Sequence, residues 1–438
     1  MADKQTYKHV PALRFPDFVN NREWKEQKFG GLFAFLPNNT LSRADLKEGE
    51  GDIYNLHYGD VLIKLNSYTD IQRDKLPAIK TVDDIEKYRK ACLQDGDIVI
   101  ADTAEDETVG KCTEIVNVHN TLVVSGLHTI PCRPQIKFAQ AYLGYYMNSN
   151  AFHNKLLPIM QGVKVTSISK SALQNIDLAF PESLEEQQKI AECLSSIDSY
   201  ISSINEKVEQ LKTYKKGLMQ KLFPQRGQTV PEYRFPEFEK DGAWVLMKLK
   251  EGSDIYQGYG FPEKMQGKTE GKYPFIKVSD ISSAVNSGNR FIKSSINYVN
   301  ENDLSSLKAK PFPKGTVVFA KIGEAIRLNR RVILSQDSLI DNNVAGIKAN
   351  PNFMNDDFMY YLLLKKDFTK YAGGVVPAIK KATLENLDVL LPPSLYEKNK
   401  IAEVLASIDE RIYACTEKIS YLERHKRGLM QQMFPTSK

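Results

Sequence analysis

The sequence predicts an α/β protein: two repeated mixed α/β domains separated by a long antiparallel two-helix coiled coil, related by a pseudo-two-fold axis. Three observations predict it. The chain of 438 residues is written twice, each copy closes on an unbroken run of heptads, and within each copy strand-like runs alternate with helical ones. A chain of this length also exceeds one ordinary core, so two or more domains are expected.

The repeat is explicit at its ends. Ser183, Leu184 and Glu186 fall on Ser394, Leu395 and Glu397, and Gly217-Leu218-Met219-Gln220 falls on Gly428-Leu429-Met430-Gln431. Phe223-Pro224 falls on Phe434-Pro435. Upstream, Gly162, Ile168, Leu173, Asn175, Asp177 and Pro181 align with Gly373, Ile379, Leu384, Asn386, Asp388 and Pro392. The openings match too: Pro11, Arg14, Phe15, Pro16, Phe18 and Trp24 align with Pro231, Arg234, Phe235, Pro236, Phe238 and Trp244. Between these ends the likeness thins to a skeleton, Tyr54 to Val61 against Pro274 to Ile281 and Gly96 to Val99 against Gly315 to Val318. Two copies kept one frame and changed their contents. The domains are placed at 1–182 and 225–393, and the helices at 183–224 and 394–438.

The helices follow from spacing. Ile190, Leu194, Ile197, Ile201, Ile204, Val208, Leu211, Leu218 and Leu222 alternate by four and three, a heptad seam. Ile401, Leu405, Ile408, Ile412, Cys415, Ile419, Leu422, Leu429 and Met433 repeat it. Ser183 and Ser394 each precede a glutamate by three residues (Glu186, Glu397), the pattern of a capping box, and Pro224 and Pro435 stop both helices. Each then spans about 40 residues, or about 60 Å at 1.5 Å per residue. Lys215 and Lys426 occupy an a position in both, poor for packing and useful for register. Connectivity predicts an antiparallel pair. The seam widens at Ala191 and Ala402, Met219 and Met430, Cys193 and Val404, and this surplus apolar surface predicts that a partner's helices pack there.

Within the domains, Asp60–Leu65, Asp97–Ala101, Thr121–Ser125 and Thr316–Ala320 read as strands, and Phe138–Met147 and Asn355–Leu364 as helices. Polar side chains in loops beside the strands are candidates to reach base edges or phosphates: arginine reads guanine, asparagine adenine, and lysine holds phosphate. In the first domain these are Asn38, Asn39, Thr40, Ser42, Arg43, Lys64, Asn66 and Ser67. In the second they are Tyr259, Lys264 and Lys268 in a glycine-rich loop, then Lys321, Arg327, Asn329, Arg330 and Arg331.

Composition restricts the class. No run of eighteen apolar residues exists, and Met1–Gln5 lacks the apolar core of a signal peptide. Five scattered cysteines fit reduced thiols in a cytoplasm. A net charge of +5 permits a nucleic-acid partner without requiring one. Catalytic signatures are missing: neither a phosphate-loop motif nor an adenine-methyltransferase Asn/Asp-Pro-Pro-Tyr/Phe tetrapeptide is present. Pro16-Asp17 with Glu23-Trp24-Lys25 mimics a nuclease PD…ExK pattern at too short a gap, and the second copy replaces Glu23 and Lys25 by Ala243 and Val245. Cys112, His119, His128 and Cys132 are four soft ligands without paired zinc spacing and without a counterpart in the second copy. No catalytic or metal residue is therefore assigned.

Gln187-Gln188-Lys189-Ile190-Ala191-Glu192, Ser196-Ile197-Asp198 and Gly217-Leu218-Met219-Gln220, with their second-copy counterparts, resemble the spacers of type I restriction-modification specificity subunits, and the likeness covers the whole chain. The resemblance implies two target recognition domains, each reading one half of an asymmetric bipartite site in double-stranded DNA. It also implies two DNA methyltransferase subunits docked on the helices and motor-endonuclease subunits joining them. S-adenosylmethionine, ATP and Mg²⁺ would then belong to those partners, and this chain would be non-catalytic. A specificity subunit for a two-subunit enzyme without a motor, a coiled-coil DNA-binding scaffold and an unrecognised enzyme are the rival readings.

Overall fold

The computed structural model describes residues 9–82, 84–162 and 164–435; the opening Met1–Gln5 lies outside them. The chain packs as two units, Met1–Ser202 with Tyr421–Lys438, and Ser203–Ser420. The division falls inside the long helices. Among the described residues no helix is long and apolar enough to cross a membrane.

Unit 1 centres on a five-stranded sheet in the order Phe33–Phe35, Thr129–Pro134, Ile98–Ala101, Cys112–Val116, Tyr68–Asp70. Its pairs are antiparallel except the last, where Tyr68–Asp70 runs parallel to Cys112–Val116. Unit 2 has the same plan: Ser253–Gln257, Val344–Ala349, Val317–Ala320, Arg331–Leu334, Phe291–Ile292, again with one parallel edge. The central strands are buried along their whole length (Ile98–Ala101, Val317–Ala320), which is why they read as continuous apolar runs. A smaller sheet flanks each: Leu122–Ser125, Ile53–Leu56, Ala78–Ile79 and Leu46–Lys47 in unit 1, and Tyr298–Val299, Tyr273–Ile276 and Leu339–Ile340 in unit 2.

Asp60–Leu65 is not a strand. Residues Tyr58–Ile63 form a helix, with the His57 ring accepting a bond from the Gly59 amide at its start. Val61 and Leu65, four apart, are buried, while Ile63 between them is 83% exposed. A strand would have put all three on one face. Phe138–Met147 is helical only from Tyr142 to Met147, because the Ala139 amide is committed to Gln187 and Ala141 is left-handed at φ 66°.

The long helices are Leu184–Leu222 and Leu395–Met433. In unit 2 the later part of the first runs against the earlier part of the second: Val208, Ile408 and Ile412 are buried together, and Lys215 donates to Asp409 at 2.6 and 2.8 Å. Rising numbers against falling ones make the pair antiparallel. Lys426 meets Asp198 in unit 1 in the same way, at 2.7 and 2.6 Å. A tyrosine from the adjoining domain completes each contact, Tyr361 donating to Asp409 at 2.6 Å and Tyr145 to Asp198 at 2.7 Å. The a-position lysines are thus neutralised within the fold.

Ser183 and Ser394 cap their helices, accepting from the Glu186 and Glu397 amides. The glutamate side chains go elsewhere. Arg14 forms a two-pronged pair with Glu186 at 2.7 Å on both prongs, and Trp24 donates to the same carboxylate; Arg234, Trp244 and Glu397 repeat the arrangement. That accounts for the matched openings of the two copies. Each unit is closed by the end of the long helix that follows the other domain. Phe434 packs on Trp24 and the Leu13 amide donates to the Gln432 carbonyl in unit 1, while Phe223 packs on Trp244 and Tyr233 donates to Lys221 in unit 2.

The widened seam is consumed by these cores. Ala191 is buried in the core of unit 1, and Met219 and Ala402 in that of unit 2. Cys193 and Met430 pack against the unit 1 core, and Val404 is half-buried. The surplus apolar area covers the chain's own domains, so it gives no argument for a partner at Ala191, Met219 or Ala402.

Candidate nucleic-acid interface

In unit 1 the structure gathers part of the expected set around one buried carboxylate. Asp60, whose side chain is 4% exposed, binds Arg43 at 2.5 Å and Lys64 at 3.2 Å, and Glu48 adds a second acid to both. Arg43 keeps about half its surface open, so it is positioned as well as paired. Ser42 caps the turn that carries Arg43 by bonding Asp45. Asn38 is exposed and donates to the Gly126 carbonyl, and Thr40 is exposed beside it. Asn39 is not available as a reader: its amide donates to Asn55 and the Ser125 carbonyl, and its oxygen accepts from Leu41, pinning this segment to the small sheet. Asn66 and Ser67 lie apart, lining a cleft with Asp198 and Lys426, and Ser67 is buried.

In unit 2, Lys264 and Lys268 are exposed, and Lys268 lies 3.6 Å from Asp303. Tyr259 is half-buried; its ring stacks on Phe312 and its hydroxyl accepts from the Lys310 amide, so it props the loop. Lys321 donates to Gln257, and burial pushes its ammonium below the usual lysine range.

Arg331 is a correction. Its side chain is 1% exposed, lies 4.2 Å over the Phe368 ring, and donates to the Asn329 carbonyl, the Asn329 side chain and the Lys366 carbonyl. Burial pushes its guanidinium down to about 10. An arginine so buried, with both terminal nitrogens engaged, cannot reach a base. Asn329, left-handed at φ 50°, is likewise spent inside this brace, accepting from Arg331 and the Phe368 amide. What the brace holds is informative. It joins the 324–330 segment, with Arg327 exposed and Arg330 half-buried, to the segment from Lys366 onward.

That second segment was missed by sequence reasoning. Residues 373–378 form a tight loop, Gly373 and Ala378 exchanging backbone bonds at 3.1 Å. It is tied to the first segment by Gly323 donating to Pro377 at 2.8 Å and Ile379 to Lys321 at 2.9 Å. Val375 and Val376 stand fully and 62% exposed at its tip, with Leu328 and Tyr371 also exposed. Exposed lysines 370, 380 and 381 flank it. The signal was present: an apolar pair between two glycines and a lysine pair does not belong to a core. The counterpart of the 324–330 segment in unit 1, after Ile98–Ala101, carries Asp102, Glu105, Asp106 and Glu107 instead, so the two units present different chemistry at one place in the fold.

The soft-ligand group is dispersed through structure. Cys112 and Cys132 are buried strand residues whose thiols burial pushes up, and His119 and His128 occupy left-handed turns. Asp17 of the nuclease-like pattern pairs with Lys189.

The sequence model of the family described as the Type I restriction modification DNA specificity domain matches residues 21–213 and 242–424. The chain is 27% identical over 358 residues to a Methanocaldococcus jannaschii protein named for the MjaX type I restriction enzyme specificity subunit, covering 80% of this chain and 79% of that one. It is 26% identical over 282 residues to the MjaVIII specificity subunit of the same organism, covering 62% and 64%. Among solved structures, the S subunit of a type I restriction-modification system from M. genitalium is similar in fold, with a TM-score of 0.58 at 13% identity over 98% of this chain and 100% of that one.

Proposed function

Because this chain belongs to the type I restriction-modification DNA specificity family, we propose that it supplies the sequence recognition of a methylation and restriction complex and performs no catalysis itself. One observation carries the detail: a single frame is built twice around different loops. Two readers of one plan and unlike contents recognise two unlike half-sites, giving an asymmetric bipartite site in double-stranded DNA. Arg43 and Lys64 in unit 1, and Lys264, Lys268, Arg327 and Arg330 in unit 2, are the charged groups proposed to meet it. Methyl transfer and cleavage, with their S-adenosylmethionine, ATP and Mg²⁺, fall to partners, two methyltransferase subunits and the motor-endonuclease subunits. Those partners dock on helix surface other than Ala191, Met219 and Ala402.

The test is methylome sequencing of cells with and without the gene. A split, non-palindromic methylated motif that disappears with the gene is expected. Methyl transfer by the purified chain alone would refute the non-catalytic role, and a palindromic motif would refute the two-reader scheme.

A further inference from the structure

We propose that Val375 and Val376 read a thymine C5-methyl group in the major groove of the half-site recognised by unit 2. The inference rests on the DNA-recognition function and adds to it a reader that makes no hydrogen bond. Val375 is fully exposed and Val376 is 62% exposed, a position that a globular fold gives a valine pair only at a cost in water. The turn is built to put them there. Gly374 has φ +96°, a conformation that favours glycine, and a Cβ on it would meet the Val376 carbonyl at 3.2 Å. The backbone behind the tip is held by the Gly373–Ala378 pair and by the bonds from Gly323 and to Lys321. The tip is therefore projected and anchored.

Its chemistry narrows the ligand. From Ala372 to Ala378 no side chain carries a hydrogen-bonding group, so the tip can recognise only an apolar feature. Around it stand exposed cations: Arg327, Lys370, Lys380 and Lys381. Their nearest acids, Glu324, Asp367 and Glu385, offset them only at the surface. An apolar point inside a cationic rim suits a polyanion that displays an apolar group, and on DNA base edges that group is the thymine methyl in the major groove. Valine is short and β-branched. It reaches a methyl group better than it prises apart a base step, a task for longer wedges. Unit 1 has Lys164 and the 53% exposed Val165 at the aligned positions, so the valine pair belongs to unit 2 and a cation takes the place of its first member in unit 1.

The experiment uses the full chain assembled with its methyltransferase on duplexes carrying the motif found by methylome sequencing. Each thymine is replaced in turn by uracil, which removes only the methyl. At one position the wild-type complex is expected to bind the uracil duplex about four-fold more weakly, the factor for one methyl-sized group. The Val375→Ser/Val376→Ser complex is expected to bind both duplexes equally at the weaker level while assembling normally. Several results would overturn the proposal: uracil without effect at every position, thymine preference unchanged in the variant, or loss of methyltransferase assembly in place of discrimination. A rise in 2-aminopurine fluorescence on binding, marking an unstacked step, would also overturn it in favour of a wedge. Absence of any gene-dependent motif would instead overturn the DNA-recognition reading, and this proposal with it.

Discussion

Replacing Asp409 by alanine tests how unit 2 is fastened to its helices. Asp409 accepts both bonds from Lys215, at 2.6 and 2.8 Å, and the Tyr361 hydroxyl at 2.6 Å. The Lys215 and Asp409 side chains are only 14% and 12% exposed. Removing the carboxylate leaves a mostly buried ammonium without its counter-ion, about 3–5 kcal/mol for a broken buried pair, and takes the acceptor from the Tyr361 hydroxyl, which keeps only the bond it accepts from Arg290. Two features offset part of this. The ammonium lies 5.1 Å over the Tyr361 ring, and its stem lets it turn toward water. A net loss of about 3 kcal/mol is expected. The triple variant Lys215→Met/Asp409→Leu/Tyr361→Phe removes the ion pair and the hydroxyl together, leaves Arg290 with Asp357 and Glu410 but without its bond to Tyr361, and should cost only about 1–2 kcal/mol, because apolar groups of similar shape replace a costly desolvation. The chain has two tryptophans, one per unit. Urea unfolding followed by Trp244 fluorescence in a Trp24→Phe background therefore isolates unit 2. A single variant costing under about 1 kcal/mol, or a triple variant as unstable as the single, would refute the reasoning.

Arg331→Ala should release the 324–330 segment from Phe368 and abolish discrimination in one half-site, with Arg331→Lys failing to restore it because one ammonium cannot span three acceptors; methylome sequencing reads this. Met219→Glu should lower the thermal stability of unit 2 by several kcal/mol, since an unpaired carboxylate enters a core, whereas unchanged melting would return Met219 to a partner surface. Burial pushes the Glu114 carboxyl up to about 7. A raised carboxyl contributes stability that is complete below about pH 4.5 and lost as pH rises through 7, on the order of 3 kcal/mol. Trp24-monitored unfolding should show that slope, and Glu114→Gln should flatten it. A heptad inserted after Val208 with a matched one at Ile419 should lengthen the unread gap by about three base pairs, from about 10 Å of helix at 1.5 Å per residue, and leave the half-site bases unchanged.

The parts legible in the sequence were those fixed by periodicity or repetition. Val317–Ala320 and Ile98–Ala101 are buried on both faces, so their apolar runs had one reading, and nine seam residues at four-three spacing left little room for anything but a long helix. Asp60–Leu65 was misread because a short apolar run has no preferred period; its pairing of Val61 with Leu65 is visible only once Ile63 is known to face water. Arg331 and Asn329 looked like DNA readers because charge type says nothing of burial, and the aromatic partner Phe368 is distant in sequence. Glu186 and Glu397 stood where a capping box puts them, yet a bidentate arginine outbids a backbone amide. The seam gave the right helix but not what lies on Ala191, Met219 and Ala402, since surplus apolar area reports that something covers it and not what.

One joint occurs twice and is made in two ways. In unit 2, Lys221 and Tyr233 are hydrogen-bonded across a short stretch of continuous chain, with Phe223 on Trp244; in unit 1, Gln432 and Leu13, far apart in sequence, make the equivalent bond, with Phe434 on Trp24. The contact therefore holds without the short link. The packing of each joint is indifferent to the distance in sequence between its two halves. A permuted chain opened between Leu222 and Tyr233, with Met433 tethered to Leu13, would meet the same contacts in the same places.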